Sequence, residues 1–388
     1  MRKTIFGATM LGAALMSATA IAADKLSIGF VSTFSGPASF LGKHQFDGFS
    51  LAMDHLDGKL GGLSVDISKN DDQVKPDLGR QIAEKLAKRD KVDLVVGLPW
   101  SNILLAMYNT LVDSETITIS SNAGPSSIAG KDCSPYFFNT SFQNDQPHAA
   151  AGKYLQDTGA KRVFLIVSNY QAGLDAVAGF KSRFKGEIVG EVYPALTQAD
   201  YSVEFAQVAA AKPDAVYAFV AGGSAGFTKQ YVGSGLMKTV PLVSSFTVYG
   251  PTLPAIGDIA VGARSIAVWS PDVDNPTNKR FVEDFKKKFG YLPTNLAAQS
   301  YDAAHLINAA VRQIDGKVED KKKLMAALKT ARFDSVRGPF RLGTNQFPIQ
   351  NMYITEIAKN ASGDLIESVR GTIIADDVDT YAGQCPMK

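Results

Sequence analysis

Asp93–Asn102 reads DLVVGLPWSN. Leu94–Leu98 has the continuous apolar character of a strand buried on both faces. The pattern then breaks at Pro99-Trp100-Ser101-Asn102, and ILLAMYNTLV resumes with helical spacing. A strand that hands over to a helix through a proline, a large aromatic and two small polar residues has something to hold at its carboxyl end. Pro99 sets the turn, and Ser101 offers a hydroxyl and an N–H at a helix N-terminus.

The same alternation extends in both directions. LSIGFVS, LSVDISKND, DLVVGL and TITISS read as strands, with amphipathic helices between them. A second series begins at DQPHAAAGKYLQDTG. Its strands are RVFLIVS, GEIVGEVYP, DAVYAFV, PLVSSF and ARSIAVW. Apolar strands alternating with helices of period 3.6 predict parallel sheets covered on both faces. Two such series predict an α/β protein of two Rossmann-like lobes. After Asn275 come two long helices, the shorter KKKLMAALKT, and the β-like pieces GPFRLG, NMYITEIA and VRGTIIA. One lobe therefore needs chain from both ends. The expected division is residues 23–141 plus 274–351 for the first lobe and 142–273 plus 352–388 for the second. A three-strand hinge is expected near Asn139–Gln143, Trp269–Asn275 and Ile349–Ile354.

The chain begins MRKTIFGATMLGAALMSATAIAADK. Arg2 and Lys3, the apolar stretch Ile5–Met16 and the small-x-small site Ala20-Ile21-Ala22 describe a cleaved secretory signal peptide over residues 1–22. Export to the periplasm is the expectation. Without Arg2 and Lys3, the 40 basic residues fall to 38, which balance the 38 acidic ones. Nothing in that balance calls for nucleic acid or an anionic membrane surface. Cys133 and Cys385 are the only cysteines, and in an exported chain they are expected to pair. There is no CxxC, GxGxxG, Walker A or metal-ligand cluster, so no metal or other cofactor is expected.

Ligands of open parallel sheets bind beyond the carboxyl ends of the strands. Those ends read STFSGPASFLG, GLPWSN, SSNAGP, SNYQAG, AGGSAG and SFTVYG. Small and hydroxyl-bearing residues at helix starts suit a carboxylate without needing Arg or Lys. Ser101 and Asn122-Ala123-Gly124 are the candidates to hold one.

The stretches TFSGPASFLGKHQFDGFSLAMDHL, DDQVKPDLGRQIAEKLAKRDKVDLVVG and ITISSNAG carry a family resemblance, as do RVFLIVSNYQAGLDAVAGF, DYSVEFAQVAAAKPDAVYAF and QSYDAAHLINAA. In order, and over nearly the whole chain, they resemble type I periplasmic binding proteins of the branched-chain amino acid transport class. The resemblance implies an extracytoplasmic receptor, expected to be a monomer, that delivers a small carboxylate-bearing molecule to an ABC transporter permease. Its lobes would close by a hinge. It places the carboxylate on Ser101 and on the Asn122–Gly124 backbone. Gly124 stands where many members have Thr, so one side-chain donor is lost. Amino-acid-binding members have Tyr where Ala172 stands, and an acidic residue near Phe246 for the α-ammonium.

A buried ammonium without a carboxylate costs roughly several kcal/mol. These departures therefore favour an aromatic carboxylate, a hydroxybenzoate or a cinnamate-type acid, over a branched-chain amino acid, which stays as the alternative. Ala172 and Gly222 would give room; Phe40, Trp100, Tyr170, Phe246 and Tyr301 would form walls. A serine hydrolase is a remote further reading. Gly222-Gly223-Ser224-Ala225-Gly226 is a literal GxSxG, with Asp258 or Asp272 and then His305 following in order. His44, His55 and His148 are isolated on helices and read as surface or packing residues.

Overall fold

The computed structural model describes residues 25–387, so the expected leader at 1–22 lies outside the described residues. The first lobe runs β1 (Lys25–Ser32), α1 (Ser39–His55), β2 (Lys59–Leu60), β3 (Leu63–Asp71), α2 (Pro76–Glu84), β4 (Leu94–Gly97), α3 (Ser101–Asp113), β5 (Ile117–Ser120), α4 (Ser126–Ala129) and β6 (Phe137–Asn139). The sheet order is β2-β3-β1-β4-β5-β6. It is parallel except for β2, which forms a hairpin with β3. The three-residue β6 and the two-residue β2 are too short for periodicity to reveal, and the sequence reading passed over both.

The second lobe opens with α5 (Asp145–Asp157), β7 (Arg162–Val167), α6 (Gln171–Arg183), β8 (Glu187–Val192), α7 (Ser202–Ala211), β9 (Ala215–Phe219), α8 (Ser224–Gly233), β10 (Leu242–Ser245), α9 (Leu253–Ile256) and β11 (Arg264–Ala267). Helices α10 (Pro276–Phe289), α11 (Asn295–Gln313) and α12 (Lys321–Thr330) then return to the first lobe. There Phe281, Phe285 and Leu306 pack with Phe30 and Phe49 in one core. Strands β12 (Arg341–Leu342), β13 (Pro348–Lys359) and β14 (Leu365–Asp377) complete the second sheet. Its order is β12-β13-β11-β10-β9-β7-β8, with β14 on β13. Each sheet is sandwiched between two apolar clusters, as continuous apolar strands require.

A buried ion pair ties the crossing segments to the first lobe. Arg337 Nε donates to Asp302 Oδ2 of α11 at 2.9 Å, and both residues are buried. The same guanidinium donates to the carbonyls of Thr140 and Ser141 and to Gln350 Oε1. Gln350 Nε2 returns a bond to the Ser141 carbonyl. Thr140 and Ser141 leave β6 for the second lobe, and Gln350 begins the return along β13. One side chain thus holds two crossings in register.

Cys133 and Cys385 form a disulfide that closes a sequence separation of 252 residues. It fastens the C-terminal tail to the loop after α4. From that tail the Tyr381 hydroxyl donates to Asp145 Oδ2 at 2.9 Å. Among the described residues, no helix is long and apolar enough to cross a membrane.

Removing one partner of a buried pair leaves an uncompensated charge, which costs about 3–5 kcal/mol. Arg337→Met is therefore expected to lower unfolding free energy by that amount in urea denaturation. A loss below about 1 kcal/mol would show that the crossings do not depend on it.

Candidate ligand cleft

The carboxyl ends of the strands converge on one enclosed cavity of about 70 Å³ between the lobes. One water needs roughly 10–15 Å³ on this measure, so the space suits a molecule of about one ring. From the first lobe come Phe40 and Leu41 after β1, Pro99-Trp100-Ser101 after β4, and Asn122 and Ala123 after β5. From the second come Tyr170 and Ala172 after β7, Phe219, Ala221, Gly222 and Ser224 around the end of β9, and Phe246 and Tyr249 after β10. Phe142, Asn144 and His148 enter from the first crossing.

Ser101 opens α3 on the cavity wall and is buried. The helix has no side-chain cap and no acidic residue in its first turn. The first intrahelical bond is from the Leu104 N–H to the Trp100 carbonyl. The turn's N–H groups and its dipole are therefore available to an anion. Asn144 sets the direction of the Ser101 hydroxyl. Its Oδ1 accepts from the Gly124 N–H at 3.1 Å, which fixes the amide orientation. Its Nδ2 then donates both hydrogens, to Ser101 Oγ at 3.0 Å and to Asp175 Oδ2 at 2.8 Å. Ser101 Oγ is the acceptor in that bond, so its own hydrogen is free to donate into the cleft.

The Asn122–Gly124 backbone does not act as expected. The Ala123 N–H donates to the Leu98 carbonyl and the Gly124 N–H to Asn144. The Asn122 side chain donates to the Pro99 carbonyl at 2.7 Å, bracing the turn that presents Ser101. Asn122 and Ala123 line the cavity, but Gly124 does not. A Cβ on Gly124 would lie 2.1 Å from the Phe142 carbonyl oxygen. No larger residue fits there, which accounts for the missing Thr.

Trp100 and Phe246 line the cavity. Trp100 Nε1 donates to Thr33 Oγ1, and Thr33 donates to the buried Asp72. Across the cleft Trp100 meets Tyr170 edge-on at 6.0 Å between ring centroids. The Phe246 ring stacks on Phe142 at 4.9 Å and 10°. Both presenting turns are strained. Leu98 has φ 65° and Phe246 has φ 53°, left-handed conformations that cost non-glycine residues about 1–3 kcal/mol each and concentrate at binding sites. Gly97, with φ 111°, is also required by contact: a Cβ there would lie 2.2 Å from the Val31 carbonyl oxygen.

Tyr301 is not a wall. It lies in the first-lobe core behind the sheet, its ring 4.8 Å from Phe281 and its hydroxyl 2.8 Å from His55 Nδ1. The hydrolase constellation does not assemble either. The Ser224 hydroxyl donates to the Val220 carbonyl in its own turn. His305 packs on Tyr301 in the other lobe, Asp258 pairs with Lys359, and Asp272 is bound to Ser270 and Ser368. Sequence reasoning missed Phe142, Asn144, Phe219 and Tyr249; His148, read as a surface or packing residue, is buried and lines the cavity.

Among the described residues, no Asp, Glu, Lys or Arg lines the cavity. Burial lowers the His148 pKa to about 3 and raises those of Tyr170 and Tyr249 above the ordinary phenol value. The walls are neutral at physiological pH.

A family model described as "Periplasmic binding protein" matches residues 25–363. The chain belongs to that family. It is 30% identical to a Leu/Ile/Val-binding protein homolog of Brucella melitensis over 92% of this chain and 93% of the relative. A solute-binding protein of an ABC transporter from R. palustris, solved in complex with benzoate, superposes with a TM-score of 0.87. It is 32% identical over 92% of this chain and 98% of that one. Another from R. palustris, solved with 4-hydroxybenzoate, has a TM-score of 0.85 and 29% identity over 91% and 98%. The two-lobed type I fold of the family is the fold found here.

Asn144→Leu would leave the Gly124 N–H and part of the Asp175 carboxylate without partners. Each buried polar group so left costs about 1–3 kcal/mol. The variant is expected to lose at least that in chemical denaturation, and an unchanged midpoint would remove Asn144 from its bracing role.

Proposed function

We propose that this protein is the extracytoplasmic solute-binding component of an ABC importer and that its ligand is a small aromatic carboxylate. Benzoate, hydroxybenzoates and cinnamate-type acids are the class. One observation carries the reading: the cleft has aromatic walls and a hydroxyl at a helix start, and no ionised side chain lines it. The carboxylate docks on Ser101 and the first turn of α3. The ring lies among Phe40, Trp100, Tyr170, Phe219 and Phe246, where each aromatic pair adds roughly 0.5–1.5 kcal/mol beyond burial. The relatives solved with benzoate and 4-hydroxybenzoate support the same class.

The protein works by capture and release, without a chemical step. It is exported through the leader at 1–22, acts in the periplasm as a monomer and hands its ligand to a membrane permease. The lobes, residues 23–141 plus 274–351 and 142–273 plus 352–388, turn about the three crossings. The Brucella relative's name favours leucine, isoleucine and valine as the second reading. A bound α-ammonium would have no carboxylate among the lining residues, and that weighs against it.

A thermal-shift screen of the mature protein with calorimetry on the hits separates the two. Ligand at about a hundred times its dissociation constant stabilises by roughly 2.7 kcal/mol. Aromatic acids are expected to raise the melting temperature and branched-chain amino acids to leave it unchanged; the opposite pattern would sink the proposal. Ser101→Ala is expected to weaken benzoate binding by about 1.5–3 kcal/mol, the range for a hydrogen bond to a charged group. Undiminished affinity would place the carboxylate elsewhere.

A further inference from the structure

The imidazole of His148 is used neither by the carboxylate site nor as an apolar wall. His148 lies in the first turn of α5, is 1% exposed, and lines the cavity from the second lobe. Its ring is 4.8 Å from Phe219 and 6.4 Å from Phe246, between centroids. Nδ1 is hydrogen-bonded to the Tyr217 hydroxyl. That hydroxyl donates to Ser245 Oγ at 2.8 Å. Tyr217 and Ser245 are fully buried, so the relay closes inside the protein. Its hydrogen bond among the described residues is made through Nδ1.

The relay sets the tautomer. A neutral imidazole carries one N–H and one lone pair. Burial holds His148 neutral, with a pKa lowered to about 3. In the assignment with Tyr217 donating to Ser245 Oγ, Nδ1–H donates to the Tyr217 oxygen. Nε2 is then left with the lone pair. An acceptor that a bound ligand shuts off from water without giving it a donor is costly, so a ligand that brings a donor to this place binds better than one that does not.

We propose that His148 Nε2 accepts the ring hydroxyl of a phenolic acid, so that this cleft prefers hydroxylated aromatic acids to benzoate itself. Ser101 and His148 then read opposite functional groups of one ligand, the first lobe taking the anion and the second the phenol. This rests on the aromatic-acid reading above and adds a specificity residue to it. Tyr217 and Ser245 are positioning residues that act through His148.

The test is calorimetry of the mature protein with benzoate, 3-hydroxybenzoate, 4-hydroxybenzoate and 4-methoxybenzoate. At least one hydroxybenzoate is expected to bind about tenfold more tightly than benzoate, in line with one well-made hydrogen bond. The methoxy acid, which has no donor, should gain nothing. In His148→Phe the hydroxybenzoate-to-benzoate affinity ratio should collapse towards one. Tyr217→Phe frees the tautomer, and should reduce discrimination between the hydroxy and methoxy acids while His148 stays in place. It decides the matter if His148→Phe does not fold. Equal affinities for all four acids, or a ratio that survives in the folded variants, would overturn the role of His148 and leave the aromatic-acid reading standing. Binding of none of the four would overturn both.

Discussion

The cleft depends on the carboxamide of Asn144. It sits where the chain leaves the first sheet for the second, at the residue before α5. Through its side chain it joins Gly124 and Ser101 of the first lobe to Asp175 of the second. Its own backbone N–H donates to the Gly124 carbonyl at 2.8 Å, so the two residues are bonded reciprocally. An amide with one acceptor and two donors satisfied has no freedom to flip. That rigidity turns Ser101 from a hydroxyl of arbitrary direction into a donor aimed at the ligand space. Preorganisation of this kind reduces the ordering cost of binding.

The chemistry of the cleft follows from what its walls leave out. A carboxylate among neutral groups must be satisfied by hydrogen bonds and by the helix dipole. An α-ammonium in the same place would need an acidic group, and Phe246 stands where the resemblance led one to expect it. The ring of Phe246, stacked on Phe142, is held there by a left-handed backbone that few aromatic residues adopt. Leu98 carries the matching strain beneath Ser101. Both strained residues present ligand-facing groups from the ends of strands, one in each lobe. The Arg337–Asp302 pair meanwhile holds two of the crossings between those lobes.

Much of this was legible in the sequence. Continuous apolar runs located the strands, and strand ends located the loops, because parallel sheets bury both faces. Ser101, Trp100, Ala172, Gly222 and Phe246 line the cleft as that logic requires. Tyr301 was misplaced because helical periodicity shows that a face is buried but not against what; α11 turns it onto Phe281. Gly124 was given a free N–H because its partner, Asn144, lies twenty residues away across a crossing. His148 reads as a surface or packing residue and is packed; that it borders the cleft has no local signal. Asn144, Phe142, Phe219 and Tyr249 carry no local signal, since only the meeting of two lobes gives them a role.

The central claim is that the cleft accepts an aromatic carboxylate and has no place for an ammonium. Phenylacetate and phenylglycine differ by that one group. Calorimetric titration of the mature protein with both is the direct measurement. The account predicts saturable binding of phenylacetate and binding of phenylglycine at least about a hundredfold weaker, as an unpaired buried charge demands. Equal or tighter binding of phenylglycine, or no binding of either, would contradict it.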